Sequence, residues 1–337
     1  MNLQTTINKV IEKQDLTAPE MHNAMQTIMT GEATPAQIGG FLVALRMKGE
    51  TVEEITAAAN VMRELSAKVT IDSDSAVDIV GTGGDGSGTF NISTASIFVT
   101  AAAGGTVAKH GNRSVSSKSG AADLLEAAGI NLAITPEQVA ECINELGVGF
   151  MFAQNHHSAM RHAIGARKEL ATRTIFNLLG PLTNPASAPN MVLGVFSEHW
   201  VTPLAHVLKE LGCNHAMVVH ADDGMDEISI NGATSVAELK DGEVSQYRIQ
   251  PEDFGFTSAS LDTITVDSPE ESLAMIQGVF AGDESPARHI VAMNAGAAIY
   301  VAGLAYSHAA GVKLALATMD DGSAAAKLDA LKNKTNS

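Results

Sequence analysis

The sequence predicts an α/β protein in two parts: a small helical domain, then a larger α/β domain with a mainly parallel central sheet covered by helices. Three observations carry this expectation. The chain has 337 residues, 45% of them hydrophobic, enough to bury a full core and to divide into two domains. Its first ~70 residues show only helical periodicity. From about residue 75, short β-rich runs alternate with helical stretches, the pattern of a sheet covered by helices.

Four apolar stripes define the helical part. They are Leu3, Ile7, Val10 and Ile11; Met21, Ala24, Met25 and Ile28; Ile38, Phe41, Leu42 and Leu45; and Ile55, Ala58, Ala59, Met62 and Leu65. Three begin with a capping box, Thr17 with Glu20, Thr34 with Gln37 and Thr51 with Glu54, in which the side chains satisfy unpaired amides of the first turn. Strands are expected at 77–80, 106–108, 148–152, 191–195 and 215–219, with helices at 92–103, 119–128, 136–146 and 202–211. The stretch 157–185 reads as a long helix and a proline-rich loop that crosses back to the helical domain. The helical domain is therefore set at 1–72, joined by about 165–188, and the α/β domain at 73–164 and 189–337. A hinge is expected at the crossings near 70–75 and 185–190. Residues 250–256 read as a loop, 290–311 as buried helix and 323–333 as a closing helix.

The net charge of −17 argues against general binding to nucleic acid or anionic membranes. Two short basic islands interrupt this acidity: Lys109, Arg113 and Lys118, then Arg161, Arg167, Lys168 and Arg173 against Glu169. Such islands suit small anions. Cys142 and Cys213 match no metal or redox spacing, and the polar N-terminus lacks the apolar core of a signal peptide, so a cytoplasmic protein with free thiols is expected. The uncharged run 290–311 is rich in Ala and Gly and carries Asn294 and His308, which favours burial over a membrane span.

The densest chemistry lies in GTGGDGSGTFNIST at 81–94 and KHGNRSVSSKSG at 109–120. Glycines let backbone amides approach anionic oxygens, and a following helix offers unpaired N–H groups at the positive end of its dipole. Gly81, Gly83 and Gly86 also satisfy a dinucleotide pattern, but the next strand ends in Lys109-His110, where that pattern needs an acid for the ribose. No Gly-Lys-Ser/Thr closes the loop as in a P-loop. A later segment, ADDGMDE at 221–227, places carboxylates just after a hydrophobic strand, where the crevice of an open α/β sheet lies. Adjacent Asp226 and Glu227 diverge in a regular strand, so they suit two ions better than one. Magnesium binds through one or two carboxylates together with substrate phosphates. His156, His157 and His162 lack the spacing of a helical metal pair and read as structural.

With RKELATRTIFNLLGPLTNP, these motifs closely resemble the anthranilate phosphoribosyltransferase family in order and spacing over essentially the whole chain. The resemblance implies a nucleoside-phosphorylase-like fold, a homodimer formed through helical domains, and transfer of phosphoribose from phosphoribosyl pyrophosphate (PRPP) to anthranilate. It implies PRPP contacts from Gly81, Gly84, Asp85, Thr89, Asn91, Ile92, Ser93 and Thr94. Further contacts fall on Lys109, His110, Gly111, Asn112, Arg113, Ser114, Val115, Ser116, Ser117 and Ala121. It implies two magnesium ions on Ser93, Asp226 and Glu227, and anthranilate near Gly81, Asn112 and Arg167. Two departures stand out: Ala121 replaces the family's usual serine, leaving only backbone there, and Gly165-Ala166 replaces the usual Pro-Val before Arg167. A pyrimidine nucleoside phosphorylase is the nearest enzymatic alternative, disfavoured by the Asn112 loop, Arg167 and the Asp-Glu pair. A non-catalytic nucleic-acid-binding relative would need a continuous basic face and an eroded GTGGD loop.

Overall fold

The computed structural model describes residues 2–113 and 119–337; Ser114, Val115, Ser116 and Ser117 lie outside the described residues. Four helices open the chain: α1 (Leu3–Ile11), α2 (Ala18–Met29), α3 (Pro35–Lys48) and α4 (Val52–Glu64). The reciprocal caps form: Thr17 N donates to Glu20 at 2.9 Å, Thr34 N to Gln37 at 2.9 Å and Thr51 N to Glu54 at 2.8 Å.

The α/β part runs β1 (Val77–Gly81), α5 (Ile92–Ala102), β2 (Val107–Gly111), α6 (Ala121–Ala127), α7 (Pro136–Leu146) and β3 (Val148–Phe152). Short helices α8 (Ala153–His156), α9 (Ile164–Leu170) and α10 (Phe176–Leu179) lead to β4 (Asn190–Gly194), α11 (Val201–Glu210) and β5 (His215–Ala221). The chain closes with β6 (Thr234–Lys240), β7 (Glu243–Ile249), α12 (Pro269–Phe280), α13 (Pro286–Val301), α14 (His308–Asp320) and α15 (Ser323–Thr335).

One seven-stranded sheet has the order β3-β2-β1-β4-β5-β6-β7. Its first five strands are parallel, and β6 and β7 are antiparallel. From β1 the connections step outward to β2 and β3, and from β4 they step the other way to β5. The reversal between β1 and β4 opens a crevice at their C-terminal ends.

Alternation along the strands splits the core between the two faces. Val192, Met217 and Val219 pack with α5 and the C-terminal helices, whereas Met191, Leu193, Ala216 and Val218 pack with α11, α1–α4, Phe176 and Leu179. The segment after β3 thus returns to the helical layer.

Four expectations change. The long helix expected from 157 is broken into α9, α10 and 3₁₀ turns, with Ala171 in a left-handed conformation at φ 46° closing α9. The run 290–311 forms two helices, because Gly303 at φ 78° and the Ser307 cap stop α13 and restart the chain. Its glycines let the helices touch: a Cβ on Gly311 would lie 2.1 Å from Gly296 O. The loop at 250–256 contains a 3₁₀ turn, Pro251–Phe254. The hairpin β6–β7 and helix α12 extend the expected set. The Asp241-Gly242 turn, at φ 52° and 77°, and the Ser268-Pro269-Glu270-Glu271 start carry sequence signals for both.

Candidate active site

The glycine loop begins where β1 ends, at the reversal of strand order. Gly83 adopts φ 68° and donates its amide to Asp226 Oδ2 at 2.7 Å. A protein carboxylate thus takes an amide of the loop. Asp226 arrives from beyond β5 and crosses close over the ends of β1 and β4, its backbone against β4 and its carboxylate against β1. A Cβ on Gly81 would lie 2.4 Å from Asp226 Oδ2, and one on Gly194 only 1.6 Å from Asp226 O.

The neighbouring carboxylate turns elsewhere. Glu227 accepts from the Ser93 backbone in the first turn of α5, at the positive end of that helix. Asn91 caps the helix through Oδ1, which accepts from Thr94 N at 2.9 Å, and its Nδ2 donates to Ser119 O at 3.1 Å. Lys109 enters from β2 fully buried, its Nζ donating to Ile79 O at 2.5 Å and lying 3.4 Å from Ser93 Oγ.

Burial raises the carboxyl of Asp226 to about 6, with the nearby Asp85 adding to the rise, and burial together with Asp226 raises Glu227 to about 8. Burial depresses Lys109, opposed by the charges of Asp78, Glu227 and Asp226. The centre holds more anionic groups than its one lysine balances. Its donors are hard oxygens, and among the described residues no three His, Cys, Asp or Glu side chains converge to cage an ion. That set fits magnesium, a cation that shares its ligands with substrate phosphates.

The expected residues divide. Gly81, Gly84, Asp85, Asn91, Ser93, Lys109, Asp226 and Glu227 surround the crevice, with Thr89 further along the loop bridged to Thr265. Ile92 and Thr94 are buried in α5; the Thr94 amide is taken by Asn91, while its hydroxyl has no hydrogen-bond partner among the described residues. His110 departs from its expected role. Alternation along β2 sends its ring to the opposite sheet face from Lys109, 5.0 Å from the His157 ring, and burial holds it well below the usual histidine range, so it is neutral. Its amide donates to Asp78 at 3.1 Å. Arg113 also departs, because its guanidinium is drawn onto α6, 3.1 Å from Asp123 and 2.7 Å from Glu126. Gly111 packs against Phe150, and Ala121 starts α6.

On the acceptor side, Asn112 is exposed at the end of β2, its Oδ1 accepting from Arg113 N at 2.8 Å. Arg167 lies half-buried on α9, 5.1 Å above the Phe176 ring, and burial lowers its pKa. Among the described residues, no carboxylate pairs with it. A planar cation held in place by an aromatic ring and left without an anion suits a carboxylate ligand.

Sequence reasoning missed Gly194 and Arg173. Gly194 is a lone glycine ending a strand, a sign of close backbone approach. Arg173 Nη2 donates to Gly84 O, and its guanidinium lies 4.2 Å from the Phe196 ring centre.

A helical bundle beside an open sheet, with an anion-suited loop facing carboxylates at the reversal point, defines a glycosyl transferase. The models described as "Glycosyl transferase family, helical bundle domain" and "Glycosyl transferase family, a/b domain" match residues 4–66 and 73–325. The chain is 60% identical to the anthranilate phosphoribosyltransferase of Thioalkalivibrio sulfidiphilus over 337 residues, covering 100% of both chains. It is also 60% identical to that of Marinomonas sp. over 337 residues, covering 99% of this chain and 97% of the relative. The crystal structure of the Thermus thermophilus enzyme matches at a TM-score of 0.94 and 43% identity, covering 98% of this chain and 99% of that one. The Saccharomyces cerevisiae enzyme, in complex with PRPP and Mg, matches at 0.90 and 25%, covering 99% and 98%. The chain belongs to the anthranilate phosphoribosyltransferase family.

Proposed function

We propose that this chain transfers the phosphoribosyl group of PRPP to the amine of anthranilate, giving N-(5-phosphoribosyl)anthranilate and pyrophosphate in tryptophan biosynthesis. The observation that carries this reading is the divided acidic pair. Asp226 is held by the Gly83 amide and Glu227 by the first turn of α5, with Lys109 buried beside them. A phosphorylated donor in this crevice has loop amides on one side and metal-binding carboxylates on the other.

Asp226, Glu227 and the Ser93 hydroxyl would hold the magnesium, one ion per carboxylate in the two-ion reading. When bound, the metal supplies positive charge against the pyrophosphate oxygens. The C1–oxygen bond breaks with its electron pair leaving on pyrophosphate, while the amine nitrogen bonds to C1 and then releases a proton to solvent. Fixed amides and Lys109 stabilise the charge that gathers on the leaving group. The aromatic amine attacks neutral, so no strong base is required. Arg167 takes the anthranilate carboxylate, and Asn112 lies at the end of β2 to orient the acceptor; much of the acceleration comes from this positioning.

The homodimer implied by the resemblance fits one apolar face of the helical bundle. Ile11, Val43 and Met47 are 62%, 37% and 77% exposed, beside Gly39 and Gly40, which have open space above them among the described residues. A contiguous exposed apolar patch of this kind marks a partner surface. No helix among the described residues is long and apolar enough to cross a membrane, and a free buried Cys142 is consistent with the cytoplasm.

Mixing the protein with PRPP, magnesium and anthranilate and following anthranilate fluorescence tests the assignment. Loss of signal dependent on all three supports it. An unchanged signal, with phosphorolysis of a pyrimidine nucleoside instead, would transfer the chain to the phosphorylase reading.

A further inference from the structure

Arg46, in the last turn of α3, reaches out of the helical bundle to the segment that follows α9. Its Nη1 donates to Arg173 O at 2.7 Å and to the Thr172 hydroxyl. Arg173 then reaches the other way. Its Nη2 donates to Gly84 O, and its guanidinium lies on the Phe196 ring just beyond β4. The Phe196 amide in turn donates to Thr82 Oγ1 at 2.9 Å, so both ends of Arg173's seat belong to the glycine loop or are tied to it. Gly84 stands at φ 79°, and a Cβ there would lie 3.2 Å from Arg173 Nη2, so the loop is shaped to let the guanidinium in. The positive charge of Arg173 also reaches the Asp226 carboxylate.

We infer that Arg46 and Arg173 form a two-step latch through which the helical bundle holds the glycine loop in the conformation that receives the donor's phosphates. Arg173 is the positioning residue on the loop and Arg46 sets the position of Arg173. The inference rests on the phosphoribosyl-transfer reading for its kinetic consequences and on geometry alone for its effect on the loop. Each link is a hydrogen bond from a charged donor to a backbone carbonyl, stronger than a neutral one. Lysine cannot replace Arg173 fully, since it lacks the flat fork that both bonds Gly84 O and stacks on Phe196.

The test uses Arg46→Gln, Arg173→Gln, the double variant and Arg173→Lys in the full chain. Each glutamine variant is expected to raise the KM for PRPP about tenfold, with the KM for anthranilate changing less than about twofold and Arg173→Lys falling in between. Because the two residues act in series, the double variant should resemble Arg173→Gln alone, and a product near 100-fold would overturn the latch. Hydrogen exchange supplies a readout that does not need turnover. The Thr82 and Gly83 amides, which donate to Gly194 O and Asp226 Oδ2, should lose protection in Arg46→Gln, although that residue does not touch them, while the amides of β4 and β5 keep theirs. Unchanged exchange in the loop overturns the inference, as does uniform loss across the sheet, which signals simple destabilisation. If the parent fails to consume PRPP and anthranilate, the functional reading falls and the exchange result still decides the latch.

Discussion

Gly194→Ala is the sharpest probe of how the crevice is built. The added methyl would lie 1.6 Å from Asp226 O, 2.4 Å from its carbonyl carbon and 3.1 Å from its Cα, whereas real Cβ contacts essentially never fall below 3.0 Å. The Asp226 backbone must therefore retreat by about 1.4 Å. A misplacement of about 1 Å at a reacting centre costs on the order of 100-fold in rate, and overpacking costs about 1–3 kcal/mol of stability. Gly81→Ala provides a graded comparison, since the atoms nearest its methyl belong to the Asp226 carboxylate, with Oδ2 at 2.4 Å, and a side chain swings away more easily than backbone. We expect at least 100-fold loss of PRPP-dependent turnover in Gly194→Ala, about 10-fold in Gly81→Ala, and none in Gly232→Ala, which meets nothing within 4 Å among the described residues. Magnesium titrations of turnover, alongside thermal melts, separate lost chemistry from lost folding. Full turnover with the parent's magnesium dependence in Gly194→Ala would refute the argument that Asp226 must sit against both strand ends.

Arg167→Ala should raise the KM for anthranilate about 10–100-fold with less effect on PRPP; equal weakening of both substrates in steady-state kinetics counts against a carboxylate-binding role. Replacing both acids, Asp226→Asn with Glu227→Gln, should abolish the magnesium response of turnover, and a retained response in the double variant would remove them from the metal site. Glu238 is buried, which pushes its carboxyl up, but hydrogen bonds from His215 at 2.9 Å, Tyr300 at 2.7 Å and Tyr247 at 2.9 Å outweigh this and hold it at about 2. Its folded pKa is depressed, so its stabilisation is present above about pH 4.5, is lost as pH falls toward 2, and amounts to about 3 kcal/mol at most. Melts of Glu238→Gln should accordingly show a flatter acid limb than the parent, and parallel curves would contradict the network. If the proposed homodimer forms through this patch, the parent should sediment as a dimer at micromolar concentration and Met47→Lys as a monomer; a dimeric Met47→Lys removes the patch as the contact, and a monomeric parent removes the dimer.

Much of the fold was readable because period and burial coincide. Apart from Ile11, which the first stripe includes but which is 62% exposed, the four helical stripes and the five parallel strands are apolar on the faces they bury, so composition and position carry the same message. β7 resisted for the opposite reason: most of its residues are exposed at the sheet edge, and only the Asp241-Gly242 turn announces the hairpin. For the site, charge and glycine density identified the loop and the acidic pair. Direction was harder to read. His110 and Lys109 are adjacent in sequence, but a strand sends them to opposite faces, and Arg113 is diverted by Asp123 and Glu126 on the next helix. Arg173 was hidden among four basic residues, because its role depends on a carbonyl 89 positions earlier in the chain. Such contacts are set by topology, which local pattern does not encode.

The core that begins in α1–α4 continues without interruption through α11 into one face of β4 and β5. That continuity makes the N-terminal bundle the outer wall of the sheet. A polypeptide starting at β1 would uncover the part of this shared core that α1–α4 now close, so the bundle is not a module that can be shed or exchanged between proteins. Heat or denaturant should take wall and sheet down together, and substitutions that lengthen or soften the bundle would register at the sugar-binding end of the molecule.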